Sequence, residues 1–154
     1  MAITPNTTFT AGAVLTATQQ NNFPRGVVAY AQTTTSDTTI TAEEIQITST
    51  TFTAVANRYY RITYYEPQVQ TALSGFLVGY IRKTNTTGTQ YASSIFQSPS
   101  GFALNGYLNV QAVTTFAAGS TTVVGTMTSG SGTSVANRAA AYPAWILVED
   151  IGPA

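Results

Sequence analysis

Residues Arg58–Glu66 read RYYRITYYE, and the interpretation of this stretch decides the fold. Aromatic and β-branched side chains suit a pleated, half-buried surface, and strand alternation divides them between two faces. Tyr60, Ile62 and Tyr64 fall on one face; Tyr59, Arg61, Thr63 and Tyr65 fall on the other. A strand that is bulky on both sides must be covered on both sides. The Ile62 face can line the domain's own core. The tyrosine face with Arg61 needs another partner, and a second copy of the same chain is expected there.

Further along the chain, short β-rich runs alternate with turn residues, the spacing of a sandwich or jelly roll. Expected strands before the central stretch are Val27–Gln32, Thr38–Thr41, Glu44–Ser49 and Thr51–Ala56, with the central strand ending near Glu66-Pro67. Beyond it come Gly75–Lys83, Gln90–Phe96, Gly106–Phe116 and Thr121–Thr128, with a turn at Ala117–Ser120 and a flexible loop over 129–134. The closing run Tyr142–Ile151, YPAWILVEDI, is almost continuously apolar and belongs in the middle of a sheet. Eight to ten strands without a crossover helix make the fold all-β.

The N-terminal part differs. Thr10 can cap a helix over Ala11–Asn21, with Val14, Leu15 and Thr18 at helical spacing, and Phe23-Pro24 stops it. A helix this short is marginal alone. It is expected either as a lid over its own domain or as a docking segment. The division expected is therefore 1–25, an arm and short helix, and 26–154, the β-sandwich.

Composition excludes much. The 154 residues include no cysteine and no histidine, which removes disulfides, thiolate metal sites and the commonest general base and metal ligand. Charged residues are 8% of the chain and the net charge is zero, against about 25% charged in an ordinary domain. Six scattered basic residues make no stripe for nucleic acid. No run reaches the roughly 18–20 apolar residues of a membrane helix, and the start MAITPNTTFTAG lacks the features of a signal peptide. Synthesis in a cytoplasm is expected, without cleaved export and without membrane insertion. Near-zero charge handicaps a free monomer less once it sits in a permanent assembly.

Candidate motifs are sparse. Glu43-Glu44 and Glu149-Asp150 are adjacent acids, and neighbours in a strand point to opposite faces, so neither pair makes a site alone. No nucleophile elbow, phosphate loop or dinucleotide fingerprint occurs; no catalytic residue, metal site or cofactor is expected. If the central and closing strands are neighbours, Arg61 and Glu149 share the outward face as a partly desolvated pair. Loss of Arg61 from an interface would then cost about 3–5 kcal/mol. Arg138, in a polar and loop-like stretch, should cost about 0–1 kcal/mol. Tyrosines within strands suit core or interface, whereas Tyr91, near a turn, is the better ligand candidate.

TAGAVLTATQQNNFPRGVVA (10–29) resembles the helical lead-in of tail-fibre, spike and other virion proteins of tailed bacteriophages. TFAAGSTTVVGTM and WILVEDIGPA resemble phage β-domains with the trimeric jelly roll of tumour necrosis factor and complement globular heads. The resemblance implies a homotrimeric jelly-roll β-sandwich whose interface uses Tyr59, Arg61, Tyr65, Tyr107, Trp145, Leu147 and Glu149. It also implies an N-terminal anchor, with Val14, Leu15 and Phe23, that meets other virion proteins. Starting at Met1, ten residues before the helix, the chain looks like a stand-alone virion protein assembled in the host bacterial cytoplasm. The alternative is a fibre or spike tip that binds a host surface glycan through the loops Thr84–Thr89 and Ser98–Phe102.

Overall fold

The computed structural model describes residues 11–72, 74–98 and 105–154. A short helix α1 (Ala17–Asn21) precedes β1 (Gly26–Thr33), β2 (Asp37–Ile40), β3 (Glu44–Thr48), β4 (Phe52–Ala54) and β5 (Arg58–Gln70). Then follow β6 (Phe76–Lys83), β7 (Gln90–Gln97), β8 (Asn105–Thr115) and β9 (Gly119–Thr121). The chain closes through β10 (Val123–Ser129), β11 (Ser134–Asn137) and β12 (Ala144–Pro153). The fold is all-β, a jelly-roll β-sandwich with a short N-terminal helix.

β5 is the axis of the larger sheet. It pairs antiparallel with β8 along one edge and with β12 and then β11 along the other. β1 extends the sheet beyond β12, and β2 extends it beyond β11. The second sheet runs β3-β10-β6-β7, and β4 pairs with β9 in a small third ladder. β12 is therefore hydrogen-bonded on both sides, the position its apolar run calls for.

Between the sheets, Tyr60, Ile62 and Tyr64 of β5 pack with Ile146 and Val148 of β12 and with Leu77, Ile81, Val123 and Met127 of the opposite sheet. The expected core face of β5 is the observed one. Two glycines let the layers close. A Cβ on Gly125 would lie 2.7 Å from the Tyr64 ring, and one on Gly79 would lie 2.1 Å from a Leu108 methyl. At the end of the sandwich, Phe52, Tyr60, Phe116 and Tyr91 make tilted and edge-to-face contacts at 5.2–5.8 Å, the offset geometry that ring quadrupoles favour. Tyr91 thus sits in β7 against the core, not at a turn facing a ligand.

Four further expectations need correction. The helix begins at Ala17 rather than Ala11, because Thr16 caps it: Thr16 accepts from the Gln19 backbone and Gln19 reaches back to the Thr16 amide. Ahead of it Gly12 takes φ +80, which an α-helix does not tolerate. Thr10, the expected cap, lies outside the described residues. β5 does not stop at Glu66-Pro67 but continues to Gln70 across a register shift between Glu66 and Val69; a bulge is where a sheet accommodates proline. The segment 129–134 is not simply a loop. Ser134 is buried and begins β11, between β5 and β2, bringing the described strands to twelve.

The fourth correction concerns charge. Arg138 is not on a solvated loop: its side chain is 3% exposed and lies against Glu66, which is fully buried. Its guanidinium also donates to Gln46 of the opposite sheet and to the Thr35 carbonyl. Arg61 carries the exposure expected of Arg138, with half its side chain open to solvent. Within the protomer Arg138 is therefore the buried arginine of the two and Arg61 the half-exposed one.

Candidate functional site

The outward face of the larger sheet is built by alternation. Register sets Trp145 beside Tyr65, Leu147 beside Thr63 and Glu149 beside Arg61 across β12 and β5. β8 adds Asn109, Gln111 and Val113 to the same rows, and β1 adds Gln32 and Tyr30. Tyr59 and Tyr107 belong to the same parity in their strands. All seven residues expected at an interface are thus brought to one face of one sheet.

That face is aromatic at one end and ionic further along. Trp145 stacks on Tyr65 with centroids 5.5 Å apart, and Tyr65 lies 6.4 Å from Tyr107. Tyr107 is 66% exposed, and Val113, Tyr30 and Val27 are exposed as well. Arg61 directs both Nε and Nη2 to a single Glu149 oxygen, each at 2.8 Å. The pair is therefore not the two-oxygen fork that a fully bidentate contact makes.

The N-terminal segment is held by the arginine that opens β5, Arg58. Arg58 is buried and donates from Nη2 to Asp150 Oδ1 at 2.7 Å and to the Phe23 carbonyl at 2.6 Å. Its Nη1 donates to the Asn21 carbonyl at the end of α1. One buried guanidinium thus ties β5, β12 and the C-terminal end of α1 together. The helix buries none of its own residues. Val14 is 89% exposed, Leu15 is 50% exposed and Phe23 is also exposed, so all three expected anchor residues face outward. Residues 1–10 of the arm lie outside the described residues.

The adjacent acids separate as alternation requires. Glu149 faces outward to Arg61, while Asp150 faces inward to Arg58. Glu43 meets Arg82 and the Thr126 hydroxyl, and Glu44 approaches Asp37. Arg82 also lies over the Tyr80 ring at 4.7 Å. No group of three or more metal-ligating side chains collects among the described residues, and no helix there is long and apolar enough to cross a membrane. In the loop Thr84–Thr89, the Asn85 side chain accepts from the Thr87 amide and hydroxyl, a self-contained turn. Ser98 is buried, and residues 99–102 of the second proposed loop lie outside the described residues.

Sequence reasoning missed Tyr142 and the hollow beside it. Tyr142, paired only in an isolated bridge with Ala139, joins Tyr65, Pro67, Gln68, Asn105 and Tyr107 around a cavity of about 450 Å³. These residues come from three separate parts of the chain, and only the bulge at Pro67 hints that a ladder opens there.

No protein-family model matches the chain, and no curated protein matches it. Among solved structures it is similar to a carbohydrate-binding module of Cellvibrio mixtus lichenase 5A in complex with cellotriose, at 12% identity and TM-score 0.39, over 84% of this chain and 91% of that one. It is also similar to the CBM22-1 xylan-binding domain of Paenibacillus barcinonensis Xyn10C, at 12% identity and TM-score 0.26, over 81% and 87%. A third similarity is to the infectious bursal disease virus VP2 subviral particle, at 11% identity and TM-score 0.30, over 84% of this chain and 39% of that one. Likeness this loose concerns the course of the chain and transfers no activity.

Proposed function

We propose that the protein is a non-enzymatic structural component of a tailed-bacteriophage virion. It forms a homotrimer through the outward face of the larger sheet, decorates the capsid or tail, and docks on other virion proteins through residues 1–25. The observation that carries this reading is the composition of that face. Trp145, Tyr65, Leu147, Tyr59 and Tyr30 share it with one ion pair, Arg61–Glu149, and with the uncharged polar residues Thr63, Gln32, Asn109 and Gln111. Aromatic residues and arginine are the side chains enriched at protein interfaces. The resemblance of 10–29 and of the C-terminal run to phage virion proteins supplies the biological setting.

Sedimentation equilibrium tests the assembly. The expected mass is three times the 16.2 kDa protomer, and Leu147→Arg should shift it toward the monomer without loss of the β-sheet circular dichroism. A wild-type protein that is folded and sediments as a 16.2 kDa species overturns the proposal. Mass spectrometry of purified particles tests the setting: a decoration protein is present in many copies per particle.

A further inference from the structure

Tyr107 is a ridge between two hollows. On its β5 side lies the cavity of about 450 Å³ with Tyr65, Pro67, Gln68 and Tyr142. On its β7 side lies a second, of about 460 Å³, with Ser94, Phe96 and Asn109. The two share Gly106 and Tyr107. Gly106 is required where it stands, because a Cβ there would lie 2.3 Å from the Phe96 ring. The result is a trough across the edge of the larger sheet, floored by aromatic rings on both sides of a protruding tyrosine.

Its chemistry selects a class of ligand. No aspartate, glutamate, lysine or arginine among the described residues lines either hollow, so a charged ligand finds no counter-charge there. Among the described residues the side-chain amides of Gln68, Asn105 and Asn109 make no hydrogen bond within the protein. Each amide offers two donors and one acceptor. Aromatic faces next to groups that both donate and accept match one kind of molecule: a flat ring with apolar C–H faces and a rim of hydroxyls. We propose that this trough binds a neutral oligosaccharide, with adjacent sugar rings on either side of Tyr107. A proline-rich peptide also packs on tyrosines. However, its backbone offers mainly carbonyl acceptors, and the amide oxygens of Gln68, Asn105 and Asn109 would be left unmatched.

Tyr65 is shared between the trough and the proposed trimer face, and the trough lies at the rim of that face. Among the described residues β8 pairs only with β5 and so ends the sheet on that side, which puts Tyr107 at the rim of the outward face. Sedimentation of the same sample reports assembly separately from binding.

The full chain is titrated with cellotetraose, maltotetraose and tetra-N-acetylchitotetraose as neutral probes, and with tetragalacturonate and a proline-rich decapeptide as controls. Trp145, the single tryptophan of the chain, stacks on Tyr65 at the edge of the trough and reports binding by fluorescence. Side-chain amide resonances report the contacts of Gln68, Asn105 and Asn109. The expected result is saturable binding of at least one neutral probe, with those amides shifted and tetragalacturonate inert. Tyr107→Ala should weaken that binding by about tenfold or more, the effect of losing one stacked ring, while Tyr107→Phe should retain it. Tyr107 is mostly exposed, so both variants fold. Three outcomes overturn the inference: no neutral probe saturates, binding survives Tyr107→Ala unchanged, or only the peptide binds.

Discussion

Arg138 and Glu66 form a doubly hydrogen-bonded ion pair inside the sandwich, Nε to Oε2 at 2.8 Å and Nη2 to Oε1 at 2.7 Å. The Tyr64 hydroxyl donates to the same carboxylate, and Gln46 brings in the opposite sheet. Burial opposes the charge on Arg138, but the hydrogen bonds and charge of Glu66 outweigh it and hold the guanidinium pKa above its ordinary value. Burial, with the Glu66 charge beside it, pushes the Tyr64 hydroxyl well above its usual range. A pair this deep costs much to break, because the survivor is left charged in a dry core.

Glu66→Gln should therefore destabilise the protomer by about 3–5 kcal/mol. Arg61→Ala, on a half-exposed side chain, should cost about 0–1 kcal/mol of protomer stability. Urea unfolding at matched protein concentration compares the two. Equal midpoints would mean either that water reaches the Glu66 carboxylate and screens it or that Arg61 is buried in the trimer.

Gly125→Ala tests the packing above that pair. The added Cβ meets the Tyr64 ring at 2.7 Å, and the ring cannot swing away while its hydroxyl is bonded to Glu66. Gly125 is not among the glycines with positive φ, so the penalty is steric. Overpacking of this kind costs about 1–3 kcal/mol. A thermal midpoint within error of wild type would show that the two sheets have room to part at this point.

Stability should also depend on pH through three acids on the β2–β3 side of the molecule. Burial raises the pKa of Asp37 and Glu43, but hydrogen bonds outweigh it and lower both: from Thr39 and Gln46 to Asp37, and from Arg82 and Thr126 to Glu43. Glu44 goes the other way, raised by burial and by the charge of Asp37. A carboxylate with a depressed folded pKa stabilises above its unfolded value and loses that contribution as pH falls through the folded one. Asp37 and Glu43 should therefore cost stability below about pH 4. Glu44, with its raised value, is a penalty that appears as pH rises through the carboxylate range. Glu44→Gln should raise the thermal midpoint at pH 7, with the gain shrinking toward pH 4. A gain that is constant with pH would assign the effect to something other than ionisation.

Alternation in RYYRITYYE placed Tyr60, Ile62 and Tyr64 inward, and the apolar closing run placed β12 between two neighbours; both signals are local and strong. Arg138 was misread because SVANR is short and polar, and its partner Glu66 looks like the acid that ends a strand. Only tertiary pairing with β5 turns that segment into buried structure. The start of α1 was legible: Thr16 and Gln19 have the spacing of a capping box, but the apolar residues Val14 and Leu15 drew the expected helix too far forward. The trough at Tyr107 was not legible at all, since Tyr65 and Asn109 meet only through the sheet register and Tyr142 joins from an isolated bridge outside the strands.

Deleting residues 1–22 should leave a folded β-sandwich, because α1 buries none of its residues and the strands begin at Gly26. The deletion still has a cost that helix length alone would not suggest. It removes the Asn21 carbonyl from Arg58 and leaves the Phe23 carbonyl in place. One hydrogen bond to a charged group is worth about 1.5–3 kcal/mol. Arg58→Ala should be worse, at about 3–5 kcal/mol, because it leaves Asp150 buried with only the Gly152 amide and the more distant Arg25. Urea midpoints should therefore fall in the order wild type, deletion, Arg58→Ala, with native circular dichroism retained by the deletion. If the deletion proves as costly as Arg58→Ala, the helix belongs to the domain's own fold and Val14 and Leu15 are not free to anchor a neighbour. If the order holds and the truncated protein no longer joins the particle, the exposed segment is the anchor and Arg58 is what aims it.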